Sequence, residues 1–303
     1  MVTPRPLHPS GRNYGIAPPD FVLPEASHVG AVRLQISDLE RSLAFYQQVL
    51  GLRIVGRDGS VVALGPQGDE RVLVYLHERP GAERVPKRGV FGLYHFAILV
   101  PTRADLGRFL KHLTAVDAGR MGMADHLVSE ALYLWDPDGL GIEVYADRPR
   151  EMWRHPGLEV LMATDPLDTE SLVTAAGSRV WSGMPAGTRM GHVHLHVGDL
   201  TIADGFYHVG LGLEKMVWSY PGALFLAAGG YHHHLAVNTW SPGPSARDDQ
   251  ARLIAWDLLV PDRGAAEAAA ASLRTGGHGV EESDGQFSAT DPWGTRLRIV
   301  VGE

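Results

Sequence analysis

From His28 to Leu52 the chain changes its period once. The run Gly30 to Ile36 alternates apolar and polar residues, as a half-buried strand does. Ser37-Asp38 can cap a helix, and Leu39, Leu43, Tyr46 and Leu50 then recur at helical spacing before Gly51. Strand-like pieces follow at 60–64 and 71–76, so this segment reads as a β-α-β-β(-β) unit. The same order returns three times. The second unit has a strand at 93–100, a helix at 102–113 with Leu106, Phe109, Leu110 and Leu113 on one face, and strands at 131–135 and 141–145. The third opens on a strand at 191–199, continues through a helix at 200–209, and adds strands at 222–227 and 231–240. The fourth runs from a strand at 253–261 through an Ala-rich helix at 265–273 to a last strand after Asp291.

These units form two halves. Asp38-Leu39 corresponds to Asp199-Leu200, Val100-Pro101 to Val260-Pro261, and Asp136-Pro137 to Asp291-Pro292, at offsets of 161, 160 and 155 positions. The expected organisation is an N-terminal arm over 1–24, rich in Pro and Gly, and an N-terminal domain over 25–148 holding units one and two. A linker over 149–189 and a C-terminal domain over 190–303 holding units three and four complete it. At 303 residues the chain can bury a sizeable core. The fold class is α+β, with four β-α-β-β-β modules.

Composition narrows the function. The net charge of −8 and the lack of a basic stripe make nucleic acid an unexpected partner. The sequence has no cysteine, so any metal must rest on histidine and carboxylate. No apolar run is long enough to cross a bilayer, and the N-terminus lacks the apolar centre of a secretory signal. These features fit a cytoplasmic enzyme with no membrane partner.

The most informative stretch is 126–143, H-L-V-S-E-A-L-Y-L-W-D-P-D-G-L-G-I-E. It reads as a hairpin turning on Asp136-Pro137-Asp138-Gly139, whose second strand carries a single acid, Glu143, among apolar neighbours. An isolated carboxylate in a sheet is most simply half of a buried salt bridge, or solvent-facing. The ordered set His126, Tyr133 and Glu143 points further. It resembles the signature of the extradiol ring-cleavage dioxygenases: a His, five to seven residues, an apolar residue and Tyr, two residues, an acid or small polar residue, Pro, any residue, Gly, and Glu two or three residues on. One position departs, since Ala124 stands where that family has Gly, Asn, Thr, Ile or Val. The four modules together resemble the vicinal oxygen chelate superfamily, which includes glyoxalase I, fosfomycin resistance proteins and the extradiol dioxygenases. In that fold paired modules form cupped mixed sheets, two in this chain, with a divalent metal inside the cup.

What the resemblance implies about the site follows from aligning the modules. A first-strand ligand stands about seven residues before the Asp that opens the helix. His192 holds that place in the third module and His95 in the second, while the first and fourth have Ala31 and Ala255. On the last strand Glu143 aligns with Arg298. The implied metal set is therefore His95, Glu143 and His192. Two imidazoles and one carboxylate suit Fe(II), with Mn(II) as an alternative, and leave positions for substrate and O2 as co-substrate. This set requires modules two and three to face one another. With sequential pairing, His192 would instead have to combine with His232 or His234.

His126 and Tyr133 would then hydrogen-bond the substrate oxygens. The resemblance also places a proton-moving His on the module that contributes the first ligand, here His234 with His232 as the second choice; read as a strand, 231–240 puts those two on one face and His233 opposite. His194 shares a face with His192 and His196; it reads as a substrate contact or a structural residue, and His196 as structural. His28, His77, His112, His155, His208 and His278 read as structural.

The expected activity is extradiol cleavage of a small aromatic diol of catechol type, by a protein of the two-domain catechol 2,3-dioxygenase type. The alternatives are a glyoxalase-like metal-dependent lyase or isomerase, and a metal-free binding protein of the resistance type. The first would want a second acid where Arg298 stands. Such cups often assemble through sheet edges, which suggests a homo-oligomer.

Overall fold

The computed structural model describes residues 12–86 and 89–302. Module one comprises β1 (His28–Ile36), α1 (Leu39–Gln48), β2 (Arg53–Asp58), β3 (Val61–Gly65) and β4 (Val74–Glu78). Module two comprises β5 (Gly92–Leu99), α2 (Arg103–Ala115), β6 (Gly122–Asp125), β7 (Ser129–Trp135) and β8 (Gly141–Asp147). The connecting stretch contains α3 (Thr169–Ala175). Module three has β9 (Arg189–His196), α4 (Leu200–Ala203) continuing into a π-helical segment (Asp204–Gly210), β10 (Glu214–Val217), β11 (Ala223–Ala227) and β12 (Leu235–Asn238). Module four has β13 (Arg252–Val260), α5 (Arg263–Thr275), β14 (Val280–Ser283), β15 (Gln286–Thr290) and β16 (Arg296–Val301).

The modules pair crosswise into two curled, mixed sheets of eight strands. One has the order β14-β15-β16-β13-β1-β4-β3-β2, from modules four and one; the other is β10-β11-β12-β9-β5-β8-β7-β6, from modules three and two. Antiparallel seams join the modules, β1 against β13 and β5 against β9. Modules one and two do not share a sheet, so the arrangement that brings His95 toward His192 is the one formed.

Four of the strands absent from the sequence pattern, β2, β6, β10 and β14, are the four sheet edges, and β15 neighbours one of them. An edge strand such as β14, Val-Glu-Glu-Ser, is open to water along much of its length and need not carry an apolar alternation. The reading of 231–240 as one strand also needs correction. β12 begins only at Leu235, and Tyr231–His234 form a bend without strand periodicity.

A single apolar cluster draws on both sheets. Val32, Leu34, Trp256 and Leu258 come from one seam, and Phe96, Ile98, Val193 and Leu195 from the other. Strand alternation then sends His95 and Ala97, with His192 and His194, to the opposite face of the second sheet. The connecting stretch is partly packed: α3 lies on α2, where a side chain at Gly107 would collide with the Leu172 carbonyl. Residues 12–24 lie against module three, with Arg12 paired to buried Glu214 and Ile16 bridged to Lys215. No helix among the described residues is long and apolar enough to cross a membrane.

Each half is tied across the two sheets by an aspartate at the hairpin turn. Asp136 Oδ1 accepts the amides of Asp138 and Leu140, and its Oδ2 accepts the Tyr46 hydroxyl from α1. Asp291 repeats this with the amides of Trp293 and Thr295 and the hydroxyl of Tyr207. The repeat seen in sequence as Asp-Pro is thus a repeated buried hydrogen-bond device.

Burial pushes the Asp136 carboxyl up to about 7, against the pull of its amide donors. A carboxyl whose folded-state value exceeds its unfolded one holds its proton more tightly in the native protein. Its contribution to stability is therefore present at about pH 4 and is lost as pH rises through about 7. Asp136→Asn should flatten that decline, reducing the loss of unfolding free energy between pH 4.5 and 7.5 by on the order of 2–4 kcal/mol. Urea unfolding of both proteins at the two pH values measures this; equal slopes would contradict it.

Candidate metal centre and cleft

Three elements bring the candidate ligands together. His95 lies on β5, Glu143 on β8 and His192 on β9, and Ala97 lies between the last two, opposite Glu143 in one ladder and His192 in the other. The methyl group of Ala97 leaves room above it for the three longer side chains to converge. Oε2 of Glu143 is 3.0 Å from Nε2 of His95 and 3.1 Å from Nε2 of His192, and the two nitrogens are 3.3 Å apart. All three residues are buried, and theirs is the one cluster of potential metal ligands found among the described residues.

Donor atoms about 2.1 Å from a metal and at right angles to one another stand about 3.0 Å apart, so this spacing fits one face of an octahedron. The bonding points the same way. If each imidazole gives its Nε2–H to Glu143, the two N–H groups oppose each other across 3.3 Å. A cation converts the three contacts into converging lone pairs. The protonation states fit as well. Burial pushes both imidazoles below their ordinary value, only partly offset by Glu143. Burial would raise Glu143, but the two imidazoles hold it well below the usual carboxylate range. Neutral nitrogens and an ionised carboxylate are the forms that bind a metal.

A cleft of about 320 Å³ opens beside the cluster. His95, Glu143, His126, Tyr133, His194 and His233 contribute to its polar wall. The hydrogen bonds fix several tautomers. His126 gives Nδ1–H to the Ala163 carbonyl, 2.7 Å away, leaving Nε2 to accept the Tyr133 hydroxyl at 2.6 Å. Burial, then the charge of Glu143, pushes Tyr133 up, so its hydroxyl is neutral. Asn238 Oδ1 accepts the Trp240 amide and His196 Nδ1–H; its amide nitrogen therefore donates to His194 Nε2. His194 keeps Nδ1–H, and burial, with neighbouring imidazoles, pushes it well below its ordinary value.

The structure does not bring His234 to the cluster. It lines a separate recess with Arg150, Arg189 and His28, and its Nδ1 accepts the Ala228 amide. His232 is turned to Asp147, 2.9 Å away, rather than to the cleft. The residue that reaches the cleft is His233, whose ring lies 4.0 Å from that of His192. Assigning 231–234 to a regular strand inverted the faces; because these residues bend, alternation does not apply to them. The remaining histidines make local contacts: His112 stacks on Trp181, His155 on Tyr14, and His208 bonds the Leu213 carbonyl.

Two further contributions carry no sequence signal. Met162, Ala163 and Thr164 of the connecting stretch form part of one wall. The rim is aromatic, with Tyr94, Trp135 and Trp240 left 37–44% exposed. Large rings gathered at a cleft mouth are a more telling observation than exposed apolar residues scattered singly. Phe96 and Trp181 belong instead to the core region.

The other sheet shows what the same positions become without this chemistry. Arg298, at the place of Glu143, pairs with Asp257, which also meets Arg33 across the β1–β13 seam.

Comparisons with known proteins identify the superfamily. Residues 27–144 match the model of the Glyoxalase/Bleomycin resistance protein/Dioxygenase superfamily. A catechol-2,3-dioxygenase of Bacillus subtilis (strain 168) is 41% identical over 277 residues, spanning 88% of this chain and 95% of that protein. The chain belongs to this superfamily. Solved structures share the superfamily fold at low identity. A proposed dioxygenase from Bacillus subtilis subsp. subtilis str. 168 superposes with a TM-score of 0.64 at 13% identity, over 90% of this chain and 84% of that one. Glyoxalase I from Zea mays gives 0.54 at 18%, over 91% and 92%.

Tyr133→Phe removes the hydroxyl from His126 Nε2 without altering the ring. The expected cost is about 0.5–1.5 kcal/mol, read as a lower urea midpoint at unchanged slope. An unchanged midpoint would mean that this contact contributes nothing in solution.

Proposed function

We propose that this chain is an extradiol dioxygenase, opening the ring of a small catechol-type diol with O2. The observation that carries the reading is the convergence of His95, Glu143 and His192 beside a cleft that also holds His126 and Tyr133. The 41% identity to a catechol-2,3-dioxygenase over nearly its whole length supports the same chemistry. The paired acids of a glyoxalase-like site have no counterpart here: among the described residues Glu143 is the one carboxylate in the cluster with His95 and His192.

His95, Glu143 and His192 would hold Fe(II), or Mn(II) in its place. The metal, when bound, supplies a Lewis acid and a template on which diol and O2 are brought together. Tyr133 donates to His126 and so offers its oxygen as an acceptor for a diol hydroxyl, and as a neutral phenol it does not repel the diol as a phenolate would. His194 presents Nδ1–H on the same side. His233 is the group for proton movement: burial first, then neighbouring imidazoles, pushes it well below its ordinary value, so it enters the reaction as a neutral base. The aromatic rim and the connecting stretch keep water from the ring as it binds.

Protein purified without oxygen should carry about one iron or manganese per chain and consume O2 when catechol is added. Glu143→Ala should lose both the metal and the oxygen uptake. Metal without uptake, across a panel of substituted catechols, would move the reading to a lyase or isomerase. A wild-type protein that takes up no metal after anaerobic reconstitution would leave a binding protein as the better account.

A further inference from the structure

The bend that displaced His232 from the cleft gives it another place. Its Nε2 lies 2.9 Å from Oδ1 of Asp147, and its Nδ1 lies 2.7 Å from Nδ1 of His233. Asp147 ends β8, the strand that carries Glu143, and a quarter of its side chain reaches solvent. Tyr231 adds a second contact to the same carboxylate, at 3.0 and 3.1 Å, and its oxygen lies 2.7 Å from that of Tyr145. His232 is wholly buried and His233 nearly so.

With both imidazoles neutral, donor and acceptor accounting allows one assignment. An ionised carboxylate only accepts, and a neutral imidazole has one donor and one acceptor nitrogen. His232 must therefore give Nε2–H to Asp147, which makes its Nδ1 an acceptor. His233 must then give Nδ1–H to His232. The nitrogen left for the cleft is His233 Nε2, and it carries a lone pair. The Tyr231 hydroxyl is likewise committed to Asp147, so Tyr145 donates to Tyr231. Every hydrogen in the network points toward the one carboxylate.

We propose that Asp147 and His232 are positioning residues that hold His233 in the Nδ1–H tautomer, presenting its Nε2 lone pair to the substrate cleft. Without Asp147 the two imidazoles can bond equally well in the opposite sense, which would place an N–H, and no base, in the cleft. The role of His233 as a base rests on the dioxygenase reading, but its tautomer does not.

The test uses two independent readouts. In metal-free protein labelled with ¹⁵N-histidine, long-range ¹H–¹⁵N spectra report which ring nitrogen carries the proton, with His233 identified by loss of its signal in His233→Gln. Wild type should show His233 protonated at Nδ1 alone. Asp147→Leu should give a mixture or the Nε2–H form, and Asp147→Glu should restore the wild-type pattern. In the metal-loaded enzyme Asp147→Leu should lower kcat about 10- to 100-fold, with KM and metal content unchanged. An Nε2–H signal from His233 in wild type, or the same tautomer in Asp147→Leu, would overturn the assignment. A tautomer that shifts as expected in a protein inactive on catechols would support the positioning role and count against the dioxygenase reading alone.

Discussion

The antiparallel seam between β5 and β9 is the constraint on which the rest of the site depends. It joins strands from different halves of the chain and sets Ala97 between His192 and Glu143. Three polar side chains then share one buried point, which would be costly if any were left unpaired. Strand alternation sends Phe96, Ile98, Val193 and Leu195 to the common core, so the packing that stabilises the sheet also aims the histidines. A slip of one residue at this seam would turn the ligands into the core and the core residues into the cleft.

The duplicated architecture makes the contrast between the sheets instructive. Both have the same strand order about a central antiparallel seam, and in both halves a buried Tyr–Asp bond ties the hairpin turn to the preceding module. The scaffold is thus kept twice and the candidate site once. Where the second sheet gathers two imidazoles about a carboxylate, the first gathers two guanidiniums, Arg33 and Arg298, about Asp257. Burial pushes Asp257 up although the two guanidiniums oppose it, whereas the two imidazoles hold Glu143 well below the usual carboxylate range.

Module order, the helix of each module and the inner strands other than β15 were legible from the sequence because each buries a periodic apolar face. The convergence of His95, Glu143 and His192 was legible only by aligning the modules and accepting a crossed pairing that no local pattern requires. The edge strands were not legible, since water satisfies one side of each. Nor was the direction of His232, His233 and His234: alternation is a property of regular strands, and these residues precede β12 in a bend. The contribution of Ala163 to His126 was equally hidden, because a carbonyl presents the same chemistry at every residue.

The sequence by itself determined the repeated β-α-β-β-β units, the absence of thiol ligands and the signature from His126 to Glu143. These are matters of composition, period and spacing along one strand pair. Tertiary structure alone decided which modules share a sheet, which of three adjacent histidines faces the cleft, and which nitrogen of each ring carries its proton. Those outcomes depend on hydrogen bonds between groups tens or hundreds of residues apart, and such partners are specified only when the sheets have closed.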